Sequence, residues 1–148
     1  MGLKRRATSK WQGSGLQGSG TLNGTSGVLK DTPYSTKARF ENEDGKAGTN
    51  PEELIAAAHA GCFNMALSFQ IDEAGFTADE LETTATVTVE KAEAGYAITD
   101  ILLDLKGRVS GMDEAKFKEL AEKAKAGCPV SKALSSVPIT LNVAFNQA

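Results

Sequence analysis

The chain has 148 residues, 41% of them hydrophobic and 24% charged, with a formal net charge of -3. That length suits one domain burying roughly two-thirds of its unfolded surface, and the mild acidity lacks the basic excess of a nucleic-acid binder. The opening Met1-Gly2-Leu3-Lys4-Arg5-Arg6 has charge without an apolar run behind it, which predicts no secretory signal, and Arg6 stands where a myristoylation motif wants Ser or Thr. No segment is read as approaching the ~20 apolar residues of a membrane span, so a cytoplasmic protein without membrane association is expected.

Residues 4–30 are rich in Gly, Ser, Thr and Lys, with β-formers such as Trp11, Leu22, Val28 and Leu29 among them. This pattern predicts short strands joined by glycine turns. Gly13-Ser14-Gly15-Leu16-Gln17-Gly18 has the form GxGxxG, but no helix opens after it and no βαβ unit surrounds it, so it is read as a hairpin turn. Asn50-Pro51-Glu52-Glu53 carries the marks of a helix start: an N-cap, a proline at the first position and acids in the first turn. Glu53 is placed to close a capping box. The helix runs through Leu54 to Ala74 and stops at Gly75. From Ile55 to Leu67 it is apolar nearly all round, with His59 and Asn64 the polar exceptions, so it is expected at the centre of a core. Thr83–Ala92 and Tyr96–Leu105 form a hairpin around Ala94-Gly95. A second helix over 113–126 aligns Phe117, Leu120, Ala121 and Ala124 on one face and ends at Gly127. Cys128-Pro129 then opens another short helix, and Val137–Phe145 is the last strand. The predicted class is α+β, a long buried central helix against a mostly antiparallel sheet.

In a reducing compartment two cysteines mean transient redox chemistry or metal binding more often than a lasting disulfide, although a thiol is also a common small core residue. Cys62 lies midway along the apolar helix, in Ala58-His59-Ala60-Gly61-Cys62-Phe63. Burial alone raises its pKa, so a nucleophilic Cys62 needs a cation nearby. Cys128, at a helix N-terminus, is better placed in isolation to be a thiolate.

Thr49-Asn50-Pro51-Glu52-Glu53-Leu54, Ala56-Ala57-Ala58-His59-Ala60-Gly61-Cys62-Phe63 and Ala124-Lys125-Ala126-Gly127-Cys128-Pro129-Val130-Ser131 strongly resemble the OsmC/Ohr family of organic hydroperoxide reductases. The segment from Gly27-Val28-Leu29 through Pro33-Tyr34 to Arg39-Phe40-Glu41 resembles the OsmC branch, and the likeness covers nearly the whole chain in order. The resemblance implies an intertwined homodimer with its active sites at the subunit interface. It also implies that Cys62 attacks the peroxide, that Cys128 resolves it, and that Arg39 and Glu52 assist as an Arg–Glu pair.

Elementary chemistry makes sense of that set. Attack on the distal peroxide oxygen leaves an alkoxide that must be stabilised and protonated. Arg39, always charged, can lower the Cys62 pKa and hold the peroxide oxygens, while Glu52 orients the guanidinium by a bidentate contact. The resulting sulfenic acid condenses with Cys128 to a disulfide, and an external dithiol reduces it by exchange. No metal or organic cofactor is required. Met65, Leu67 and Phe69 either favour bulky organic peroxides or simply pack. Three other readings stand beside this one: a Cys–His hydrolase built on His59, which lacks an orienting third residue; a zinc site of His59, Cys62 and Cys128, which lacks paired spacing and a fourth ligand; and a non-enzymatic stress-associated dimer that is structural or binds a ligand, its cysteines incidental. Ten residues separate Glu52 from Cys62, about 15 Å along one helix, so a site using both is expected to be shared between two chains, in a protein of oxidative or osmotic stress defence.

Overall fold

The computed structural model describes residues 2–146, in two compact units divided between Leu54 and Ile55. In the first, strands β1 (Ala7–Gln12), β2 (Ser19–Gly24) and β3 (Thr32–Ser35) form an antiparallel sheet in that order. The GxGxxG segment is the turn between β1 and β2: Gly13 adopts φ 99° and the Gly18 N–H donates to the Ser14 carbonyl at 2.9 Å. Gly20 lies opposite both Trp11 and Tyr34, whose rings meet with centroids 5.4 Å apart. A side chain at Gly20 would press on both rings and on the Lys10 carbonyl, so here the missing Cβ lets the aromatic pair close over the strand. The short helix α1 (Thr36–Phe40) follows directly, started by Ser35, whose hydroxyl accepts from the Ala38 N–H.

Helix α2 (Pro51–Glu73) starts as its sequence predicts, with the Glu53 N–H donating to Asn50 Oδ1 at 2.8 Å. The predicted capping box does not close. The Glu53 carboxylate accepts instead from the Thr49 hydroxyl at 2.7 Å, a partner one residue earlier. At the other end the Phe76 N–H reaches the Ile71 carbonyl and the Gly75 N–H that of Asp72, a Schellman closure that requires the left-handed φ of 89° at Gly75.

In the second unit β4 (Glu80–Ala92) and β5 (Gly95–Arg108) form the expected hairpin, extended at its open end to Glu80 and Arg108, beyond the Thr83 and Leu105 that the alternation suggests. Helices α3 (Glu114–Gly127) and α4 (Pro129–Ala133) then carry the chain over to β6 (Ile139–Phe145), which pairs with β5 in parallel. A crossover of this length is what parallel pairing needs. The sheet order is β4-β5-β6. Phe117, Leu120, Ala121 and Ala124 are the buried face of α3, as the sequence predicts. Gly127, expected as the stop, is still helical. The stop comes at Cys128, whose extended backbone (φ -62°, ψ 123°) is the conformation a following proline imposes.

The core of this unit joins Phe63, Leu67 and Ile71 of α2, Ile101, Leu103 and Leu105 of β5, the buried face of α3, and Cys128. Asn64, a polar exception in α2, ties that helix to β4: its side chain accepts from the Thr83 hydroxyl and donates to the Leu81 carbonyl. The opposite face of α2 is different. Met65 and Phe69 are 65% and 64% exposed in the single chain. By length and composition alone α2, at 23 residues, would suit a membrane span. The same composition serves a core helix, and the Phe63–Leu67–Ile71 face is used that way.

Candidate active site

In the first unit lie two of the residues that the sequence predicts for the site, Arg39 and Glu52. Arg39 sits in the last turn of α1, which the sequence analysis did not foresee, and Glu52 in the first turn of α2. Arg39 Nε donates to Glu52 Oε1 at 3.0 Å and Nη2 to Oε2 at 2.7 Å, a fork-to-fork pair. The Glu52 side chain is only 9% exposed and that of Arg39 33%. A carboxylate so buried is tolerable because both its oxygens are engaged by a permanent cation. The guanidinium also lies 4.7 Å from the centroid of the Phe40 ring. Glu52 thus holds one edge of the guanidinium while the Phe40 ring lies against it.

In the second unit the structure brings the two cysteines together. Cys62 and Cys128 are free thiols with their sulfurs 3.0 Å apart, about 1 Å beyond a covalent disulfide. Cys62 is partly exposed and Cys128 fully buried. Cys128 ends α3 and caps α4, so the Pro129 that fixes its backbone also aims its side chain. Geometry allows either thiol to donate to the other; electrostatics chooses. Burial pushes the Cys62 thiol up, and its hydrogen bond to Cys128 adds to that. Burial also opposes a Cys128 thiolate, but the Cys62 thiol, the Ser131 amide and hydroxyl, and the Val130 amide together bring the Cys128 pKa below its ordinary value. Within this unit, then, Cys128 is the more readily ionised of the two thiols.

His59 was weighed in the sequence as a base or a zinc ligand. It is neither in contact with a carboxylate nor part of a ligand cluster among the described residues. It is fully buried, and Nε2 lies 2.7 Å from the Ser131 hydroxyl. Nδ1 has no hydrogen-bond partner among the described residues. Desolvation lowers the imidazole pKa, so the ring is neutral. Ser131 drew no role from the sequence. Its signal was there in the spacing: Ser131 follows Cys128 by three residues as His59 precedes Cys62 by three.

Residues 43–142 match the family model described as OsmC-like protein. The chain belongs to the OsmC-like family. Among OsmC-like relatives, the peroxiredoxin OsmC of Escherichia coli (strain K12) is 48% identical over 142 residues, 96% of each chain. The organic hydroperoxide resistance protein OhrA of Bacillus subtilis is 39% identical over 99 residues, 65% of this chain and 67% of that one. The crystal structure of the Bacillus subtilis organic hydroperoxide resistance protein OhrB superposes with a TM-score of 0.68 at 30% identity, covering 94% of this chain and 98% of that one. An OsmC-like fold, α+β with two small sheets and a long helix, is thus common to this chain and its structural neighbours.

Proposed function

We propose that this chain is a thiol-dependent peroxidase that reduces organic hydroperoxides, with Cys62 as the attacking thiol and Cys128 as the resolving one. The observation that carries the proposal is the pair of free sulfurs 3.0 Å apart, one reachable from solvent and the other sealed. A bulky peroxide can meet only the accessible thiol, and the sealed one is already in place to close a disulfide. The names of the relatives, peroxiredoxin and organic hydroperoxide resistance protein, support the same class of reaction.

The chemistry runs in three balanced steps. The Cys62 thiolate attacks the distal oxygen of ROOH, the O–O bond breaks, and Cys62 becomes a sulfenic acid as the alkoxide takes a proton and leaves as alcohol. The Cys128 sulfur then attacks the Cys62 sulfur. A disulfide forms, and the sulfenic oxygen departs as water with the thiol proton. An external dithiol reduces that disulfide by exchange, becoming a disulfide itself. Since local contacts favour ionisation of Cys128 over Cys62, a cation is needed to favour the Cys62 thiolate for the first step. Arg39, oriented by Glu52, supplies it. The protein works as a homodimer in the cytosol, where such a reductant is available, and the exposed Met65 and Phe69 of α2 lie in the subunit interface.

Mass spectrometry after one equivalent of cumene hydroperoxide tests the assignment. Cys62→Ser should leave the peroxide unreduced. Cys128→Ser should allow a single turnover and accumulate a sulfenic or higher acid on Cys62. Oxidation on Cys128 with Cys62 still reduced would reverse the two roles.

A further inference from the structure

Two pairs of side chains face each other in the second unit. On α2, His59 and Cys62 are one turn apart; across from them, Cys128 caps α4 and Ser131 is the third residue of that helix. Cys62 meets Cys128 at 3.0 Å and His59 meets Ser131 at 2.7 Å, so the four form two adjacent rungs. The second rung is polar and buried, with His59 fully enclosed and Ser131 5% exposed. The peroxidase chemistry gives it nothing to do. Ser131 therefore has two neighbours, His59 through its hydroxyl at 2.7 Å and Cys128, whose thiol its amide and hydroxyl help to ionise.

We propose that His59, acting through Ser131, is a positioning residue for the resolving thiol, fixing α4 against α2 and turning the Ser131 hydroxyl proton toward the Cys128 sulfur. This rests on the assignment of Cys128 as resolving thiol. The tautomer decides the direction of the chain. A neutral imidazole has one N–H, and Nδ1 has no partner among the described residues. A buried N–H left unpaired is rarer and costlier than an unpaired acceptor. The proton therefore belongs on Nε2, where it is donated to Ser131 Oγ. That bond occupies an oxygen lone pair and leaves the Ser131 O–H free for Cys128. With the opposite tautomer Ser131 would spend its only proton on the imidazole.

The consequence is chemical. A Cys128 thiolate attacks the Cys62 sulfenic acid far better than the thiol does, and its hydroxyl donor holds it ready. The ionisable groups near this chain are few. Cys62 faces Cys128 from α2, while Glu122 and Lys125 of α3 and Lys132 of α4 line an open cavity of about 430 Å³ beside Ser131. Cys62 must therefore be removed for a clean titration, and the three surface charges are left unchanged in every variant.

The test follows the ultraviolet absorbance of the Cys128 thiolate against pH in Cys62→Ser, alone and combined with Ser131→Ala, His59→Leu or His59→Gln. The Gln amide can place an N–H near the position of Nε2. Ser131→Ala and His59→Leu should each raise the midpoint by about one pH unit, a tenfold loss of thiolate at a given pH, and His59→Gln should restore most of it. With Cys62 present, the same two lesions should slow disulfide closure about tenfold without slowing sulfenic acid formation on Cys62. Ser131→Ala removes one oxygen, so it keeps the test open if His59→Leu does not fold. A midpoint unmoved by Ser131→Ala overturns the inference, and this titration needs no peroxide. A native chain inert to cumene hydroperoxide would instead overturn the peroxidase reading alone.

Discussion

Arg39 engages Glu52 through Nε and one terminal nitrogen, so its contribution to the proposed site depends on shape as well as charge. Lysine has the charge without the fork. Arg39→Lys should therefore lower kcat/KM for cumene hydroperoxide about tenfold or more, in keeping with the loss of one charge-assisted hydrogen bond. Arg39→Met should lose more, and should shift the pH profile of Cys62 alkylation upward, because burial and the Cys128 contact already disfavour a thiolate there. An unchanged profile in Arg39→Met would remove Arg39 from the site. At this scale the sequence was legible wherever chemistry needs a rare residue type. Two cysteines in 148 residues draw attention by scarcity, as does a lone histidine in an apolar helix. Ser131 was not legible, because one hydroxyl among many has meaning only through its partner. The partner, His59, lies 72 positions away.

Gly107 shows how one element is fitted to another. It lies on the inward face of β5, and a Cβ there would run into the Phe117 ring of α3. That ring cannot swing aside, being fully buried and packed against Phe145 of β6 with centroids 4.7 Å apart. Gly107→Ala should destabilise the chain by about 1–3 kcal/mol, the usual range for overpacking a core, read as a lower denaturation midpoint in urea. A midpoint equal to the native one would mean that α3 can ride up on the sheet. Among elements, the periodic ones could be read in advance: α2, α3 and the β4–β5 hairpin declare themselves by caps and alternation. Helix α1 is five residues long and has no periodicity to read; its only sign is Ser35 as a cap. The parallel direction of β6 was also hidden, since alternation does not say which way a strand runs. Gly127 misled for a related reason. A glycine after an amphipathic run is usually the stop, but the next two residues, Cys128-Pro129, already impose one.

At the scale of the whole molecule, the proposed chemistry asks a cation to reach Cys62, and the apolar face of α2 asks for cover. Met65 and Phe69 are one turn apart on that face, an exposed pair of large apolar side chains of the kind that marks an interface. A two-fold dimer answers both needs if each chain offers its Arg39–Glu52 pair to the partner's Cys62, giving two equivalent sites. Along any α-helix ten residues rise about 15 Å and the side chains lean toward the N-terminus. Exchange between chains is therefore the natural way to unite a first-turn Glu52 with a mid-helix Cys62. Subunit mixing distinguishes the arrangements. Cys62→Ser and Glu52→Gln chains, each inactive alone, are unfolded gently, combined and refolded. In a shared-site dimer one site of each heterodimer receives both lesions and the other receives none, so activity should return to about half the native value per heterodimer. In a site formed within one chain every site keeps a lesion, and no activity returns. Light scattering that finds a monomer at the assay concentration would rule out the exchange outright, and would leave Met65 and Phe69 facing water.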